Sequence, residues 1–339
     1  MPGFFAIKKK EVLPDSAARR IFALISSDLS RVETEFERQA RSNIQVIGYL
    51  GEYLRSSGGK RLRPALLLLT NRAAGGDCGD NVVRLAAVME MLHTATLVHD
   101  DIIDNADIRR SKPSINARYG NQTAVLMGDW LYMSAFETAL SERSLEILDI
   151  LTGLTRKMTE GELIQMTMIG RVDITEEDHL DILRRKTAYL FSACCEIGAI
   201  LAGADNDVRL AMRSFGLDLG IAFQLADDLL DLTGDDDTLG KAAGADLLEG
   251  KLTLPLISLV KVMPSLRDDL ESIMLNGRYD NISRESLMLL LKTHGIIDSI
   301  KKREAEHTSR AIKSLEVLAK NEYRSALEQI PGLLVDRKR

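Results

Sequence analysis

Two short stretches of the chain hold more carboxylate than an apolar setting tolerates. The first, HDDIID, places Asp100, Asp101 and Asp104 directly after the run HTATLV. The second, QLADDLLD, places Asp227, Asp228 and Asp231 after LGIAF. In each, the first and last aspartate are four residues apart, so on a helix both leave one face. Each group also falls near the carboxyl end of a predicted helix, where the macrodipole disfavours anions. Two unit charges about 4 Å apart interact by roughly 4 kcal/mol at an effective dielectric near 20. One such group alone reads as a solvated acidic face. Two copies, each behind a strongly apolar helix, point to cations held between them. Carboxylate-only donors select hard ions, and Mg²⁺ favours a few carboxylates together with phosphate oxygens.

Basic residues supply the complement. GGKRLRP offers Lys60, Arg61 and Arg63; Arg109 and Arg110 follow the first acidic group; Lys186 lies in RRKTAYLF; Lys241 and Lys251 lie in LGKAAGADLLEGKLTLP. Arginine grips phosphate with a two-pronged fork and lysine binds it as a point charge. Arg61 and Lys251 are the two that a merely solvated role suits. The whole set predicts more than one diphosphate bound at once.

The elements that must carry these groups read as helices. Ile21, Phe22, Leu24, Ile25, Leu29, Val32 and Phe36 recur at helical spacing, and Val82, Leu85, Ala86, Met89, Leu92, Thr96 and His99 mark one face over 82–104. Pro64 opens ALLLLTNRAA and Gly75-Gly76 close it. Further helices are predicted at about 122–140, 144–168, 176–203, 206–233 and 253–263, and no alternating strand pattern competes. Gly161, Gly198, Gly203, Gly216 and Gly220 interrupt helices and are expected where helices pack closely. The fold class is all-α: one domain over 1–339, a large bundle with buried central helices, and a poorly ordered N-terminal segment over 1–14.

Composition removes several alternatives. Aromatic content of 5% is low for a β-sandwich, and a net charge of −6 without a dense basic block argues against nucleic acid. Cys78, Cys194 and Cys195 cannot build a disulfide framework and fit a reducing cytoplasm. No run reads as a signal peptide or a membrane span, although transient membrane contact could release a lipid product.

GGKRLRP, HDDIID followed by RR, KT at 186–187, QLADDLLD and GKxxGxDLxEGKLTLP, in that order, resemble the trans-isoprenyl diphosphate synthases, the polyprenyl synthetase family, from about residue 15 onward. The resemblance implies a helical bundle around a deep central pocket, usually a homodimer, with the aspartate motifs facing across its mouth. It implies Mg²⁺, with three ions on the allylic diphosphate, held by Asp100, Asp104 and Asp227 and supported by Asp101, Asp228 and Asp231. Arg109, Lys186 and Lys241 match positions that hold the allylic diphosphate; Lys60, Arg63, His93 and Arg110 match those for isopentenyl diphosphate. Thr187 and Gln224 match groups lining the reacting centre. The implied reaction is ionisation, condensation and elimination, with the released diphosphate as base. His99 is expected to be structural. Ser111 departs from the glycine common after the arginine pair. The tail Arg337-Lys338-Arg339 resembles tails that fold over the pocket in relatives.

Product length follows from helix geometry, because one turn of about 5.4 Å nearly equals one isoprene unit. Ala95 and Thr96, one turn below Asp100, are small where short-chain members carry bulky aromatics, so the growing chain is expected to pass. Leu92 and Met89 lie deeper, and Phe136, Leu140 or Ile147 are candidates for the floor. The expectation is a long-chain product of about 35–45 carbons, suited to a quinone side chain. The alternatives are a short-chain farnesyl or geranylgeranyl synthase, which small Ala95 and Thr96 disfavour, and a non-catalytic synthase subunit, which two intact aspartate motifs disfavour. Terpene cyclases leave GGKRLRP unexplained, and a di-iron bundle wants Glu-x-x-His pairs that are absent.

Overall fold

The apolar periodicity of the N-terminal segment resolves into two helices, α1 (Ser16–Leu24) and α2 (Ser26–Gln39), parted at Ile25. The structure, a computed structural model, describes residues 16–39, 61–109, 112–234 and 243–335. Lys60, Arg110, Ser111, Lys241, residues 1–14 and the tail Arg337-Lys338-Arg339 lie outside them, so expectations for those positions stay as stated.

Helix α3 (Leu62–Ala73) carries Pro64 in its first turn. Helix α4 (Asp80–Ile103) is long and apolar enough to cross a membrane, yet most of it is buried inside the protein. It is a core helix. A two-residue hairpin follows, β1 (Ile108–Arg109) against β2 (Lys112–Pro113), pairing Ile108 with Pro113 and Arg109 with Lys112. Next come α5 (Ile115–Tyr119), α6 (Asn121–Ser141) and α7 (Leu145–Met168), the last capped by the Ser144 hydroxyl. Helix α8 (Glu176–Leu183) starts at a reciprocal cap between Thr175 and Asp178. The single helix expected over 176–203 is then broken by a π-helical turn at Arg184–Ala188 before α9 (Tyr189–Leu201). Helix α10 (Asn206–Thr233) is capped by Asp205, and α11 (Ala245–Leu248), α12 (Leu254–Val262), α13 (Arg267–Asn276), α14 (Arg284–Thr293), α15 (Ile296–Ser314) and α16 (Glu322–Val335) complete the chain.

Burial follows this order. Apolar side chains of α2, α3, α4, α7, α9 and the first half of α10 form the main core, which α16 also joins. The second half of α10 packs with α12 to α15 around Leu225, Leu229, Leu256 and Leu270. A third cluster joins the end of α4 to α5 and α6 through Ala95, Val98, Ile115 and Leu131. Close approach between α9 and α10 depends on glycine: a Cβ at Gly216 would lie 2.5 Å from the Phe191 carbonyl oxygen, and one at Gly220 2.6 Å from Ala188 Cα. Gly203 departs from that expectation. It meets no neighbour within 4 Å and instead ends α9 with φ +70°, a left-handed stop that suits glycine. The three cysteines are free and buried.

Candidate active site

The two acidic motifs lie at the ends of α4 and α10 and share one pattern of exposure. Asp100 and Asp104 on the first, and Asp227 on the second, are partly exposed; Asp101, Asp228 and Asp231 are buried. Each buried carboxylate has partners inside its own wall. Arg109, brought back by the hairpin, donates from Nε to Asp101 Oδ1 at 2.7 Å and from Nη2 to the same oxygen. His179 Nε2 lies 2.8 Å from Asp228 Oδ2, while Gln224 Nε2 donates to Asp228 Oδ1 at 3.0 Å. The Asp246 amide donates to Asp231 Oδ2 at 3.3 Å, and the Gly244 amide to its carbonyl at 2.7 Å.

Two lysines stand near these motifs, and one of them, Lys251, bonds an aspartate of the first. Lys251, on the segment that follows the second motif, donates to Asp104 Oδ1 at 2.9 Å and to Glu249 at 2.8 Å. Lys186 sits in the π-helical turn, 2.5 Å from Glu162 Oε2, and donates to Gln165 Oε1 at 2.8 Å. That turn nests against Gly161, where a Cβ would come 2.6 Å from Arg185 Cβ and 3.2 Å from Lys186 Cγ. One residue on, the Thr187 hydroxyl donates to Gln224 Oε1 at 2.9 Å. Lys186, Thr187, Gln224, Asp228 and Lys251 together line a cavity of about 200 Å³.

Burial and neighbouring charges set the ionisation of these groups. Burial pushes the Asp100 carboxyl up to about 7; Lys186 opposes this, and Glu162 and Asp104 reinforce it. Burial works against the Arg109 charge, but the bond to Asp101 and the carboxylates of Asp100 and Asp104 outweigh it and raise its pKa. Lys251 behaves likewise: Glu249 and Asp104 overcome its desolvation and hold the ammonium form.

Arg63 and His93 stand on α3 and α4. Both are partly exposed, and the Arg63 guanidinium lies over the Phe191 ring, 5.4 Å from its centroid. His93 is seven residues before Asp100, on the same face of α4. Arg61 is not a solvated surface residue. Its left-handed backbone (φ 47°) precedes α3, and its guanidinium ties Glu33 of α2 to buried Glu90 of α4, the latter at 2.8 Å. Lys251 likewise corrects the reading of it as solvated.

Of the residues assigned to product length, Met89 and Leu92 are buried in the main core and Ala95 in the third cluster, while Thr96 is half-buried with its hydroxyl on the His93 carbonyl. None of the four lines the cavity at Lys186 and Gln224. Among the candidate floor residues, Ile147 is buried and Phe136 half-buried against the main core. Leu140 is 49% exposed and points away from it, which corrects its candidacy. His99 is structural as expected: its ring approaches α6 at Gly128, with Nε2 3.2 Å from the Val125 carbonyl. Sequence reasoning missed Glu162, Gln165 and His179.

An all-α bundle with two aspartate motifs, the lysine after the second bonded to an aspartate of the first, fits a prenyltransferase, and known proteins bear this out. The chain superposes with a TM-score of 0.89 on a crystal structure of polyprenyl synthase from Caulobacter crescentus CB15, described as complexed with calcium and isoprenyl diphosphate, at 35% identity over 96% of this chain and 100% of that one. It is 37% identical to octaprenyl diphosphate synthase of Escherichia coli (strain K12), covering 94% of this chain and 99% of that protein. It is 38% identical to an all-trans-nonaprenyl-diphosphate synthase (geranyl-diphosphate specific) of Rhodobacter capsulatus, covering 94% and 97%. Residues 44–288 match the Polyprenyl synthetase family, and the chain belongs to it.

Proposed function

We propose that this enzyme is a Mg²⁺-dependent synthase that condenses isopentenyl diphosphate with an allylic diphosphate and extends an all-trans chain to about 35–45 carbons. The observation that carries the reading is the 2.9 Å contact between Lys251 and Asp104, which brings the segment after one acidic motif onto the other. Carboxylates gathered in such motifs are costly without positive charge beside them.

The donor set fits the metal. Asp100, Asp104 and Asp227 offer oxygen donors alone. Such a set suits an ion that completes its shell with water and diphosphate oxygens. When bound, Mg²⁺ supplies charge neutralisation for the departing diphosphate. Lys186 and Arg109 add fixed positive charge where the allylic C–O bond breaks, with Lys241 assigned the same task. Arg63 and His93, with Lys60 and Arg110, hold isopentenyl diphosphate. Thr187 and Gln224 present polar groups at the reacting end, and deeper apolar positions along α4 guide the chain.

Relatives named for octaprenyl and nonaprenyl products support the long-chain assignment, as does the small side chain of Ala95. Ala95→Phe is expected to shorten the products; unchanged lengths would show that this level does not limit elongation. A row of exposed apolar residues seven apart on α6, Leu126, Met133 and Leu140, supports a homodimer formed through that helix. Met133→Glu is expected to halve the mass seen by light scattering. A single domain acting in the cytoplasm completes the proposal. The direct test is to incubate the protein with farnesyl diphosphate, isopentenyl diphosphate and Mg²⁺ and to measure product mass. Products of 35–45 carbons support the reading, and no condensation at all overturns it.

A further inference from the structure

The reaction as described gives no task to His179, yet this side chain is only 12% exposed and meets a carboxylate that is 4% exposed. It stands in the first turns of α8, just behind the cap at Thr175, and reaches across to α10. A carboxylate only accepts, so the Nε2 atom facing Asp228 at 2.8 Å carries the proton. The other Asp228 oxygen accepts from Gln224 Nε2 at 3.0 Å. That contact fixes which end of the Gln224 amide faces which way, because the amide oxygen then points at Thr187 and takes its hydroxyl proton at 2.9 Å. The four side chains form a connected series whose hydrogen bonds converge on Asp228, since His179 and Gln224 donate to it and Thr187 donates to Gln224, across α8, α10 and the π-helical turn. Lys186, which shares that turn, lines the same cavity as all four.

We propose that His179 is a positioning residue: by occupying one Asp228 oxygen it turns that carboxylate away from the metal gap and onto Gln224, and so sets the Gln224–Thr187 pair at the reacting centre. Asp228 is then a fixture of the wall and not a metal ligand. The opposite wall repeats the arrangement with different chemistry, since buried Asp101 is held by Arg109. Without His179 the Asp228 carboxylate regains a free acceptor in a nearly dry site. It turns toward other donors, and the amide loses its preferred orientation.

The proposal rests on the synthase reading, and the experiment separates the two. Wild-type protein and the variants His179→Phe and His179→Gln are assayed for condensation with both diphosphates varied. Phenylalanine keeps the ring but donates nothing; glutamine can place an N–H close to the same point. His179→Phe is expected to lower kcat on the order of tenfold, as loss of a supporting partner does, with the KM for isopentenyl diphosphate within twofold of wild type. His179→Gln is expected to recover most of the loss. In a Gln224→Leu background, His179→Phe is expected to change kcat by less than twofold, because the series is already cut. Should His179→Phe fail to fold, His179→Asn, too short to reach Asp228, carries the same comparison. Equal kcat in wild type and His179→Phe, or a full independent loss in the Gln224→Leu background, overturns the proposal while leaving the synthase reading intact. An inactive wild type instead removes the reading on which it depends.

Discussion

The two acidic walls solve one electrostatic problem by different means. In the first, Asp101 is clamped by an arginine returned to it by a hairpin only eight residues on. In the second, Asp228 is held by a histidine 49 residues away, and Asp231 by backbone amides of the segment that begins α11. The first wall is therefore locally assembled, and the second depends on three separate elements meeting. Both leave the same kind of carboxylate toward the gap: partly exposed Asp100 and Asp104 on one side, partly exposed Asp227 on the other. On the proposed reading the six aspartates are thus divided between structure and chemistry.

The sharpest test of that division removes charge without changing shape. Asp100→Asn and Asp227→Asn are each expected to lower kcat/KM roughly 1000-fold, the scale of losing a preorganised electrostatic group, with no fall in melting temperature. Near-normal turnover in either would show that its wall carries no metal. Lys251→Met comes next, with a loss of about tenfold to a hundredfold and a higher Mg²⁺ requirement in a metal titration, because Asp104 loses the cation that orients it. Asp101→Asn belongs to the structural half. It is expected to cost roughly 1–2 kcal/mol in denaturant unfolding, since the aspartate is buried but Arg109 is a third exposed.

A further test concerns pH. In metal-free protein the folded Asp100 carboxyl titrates near 7, against an ordinary value of 3.8. The folded state therefore holds a proton that the unfolded chain has released, and the contribution present below pH 3.8 is lost as pH rises toward 7. Unfolding followed by denaturant between pH 4 and 7 is expected to show this slope in wild type and to lose it in Asp100→Asn. An identical slope in both would assign it elsewhere.

Much of this arrangement is legible in the sequence because it is local. Helix periodicity located α4, α6, α7 and α10 to within about two residues, and four-residue spacing put Asp100 with Asp104 on one face. What stayed hidden depends on distance or on register. Lys251 and Asp104 are 147 residues apart, and nothing in GKLTLP distinguishes a lysine aimed inward from a solvated one. Arg61 was misread for the same reason, because Glu33 and Glu90 reach it from two other helices. The Thr175–Asp178 cap is a readable helix start, but His179 behind it looks like any core histidine. Leu140 fits the apolar rhythm of α6 while lying on its outer side. The hairpin at 108–113 is too short to produce an alternating pattern.

The wide turn at Arg184–Ala188 has a consequence for how this protein could change over time. Each residue advances a helix by about 100°, so one extra residue within a turn offsets the phase of everything before it against everything after. Excising one amino acid there would leave a smoother rod with its hydrophobic content nearly intact. It would also swing His179 out of line with Asp228 while Phe191 stayed under Arg63. A point substitution leaves that phase intact, whereas a change in residue count at this point parts the two halves of the wall in a single step.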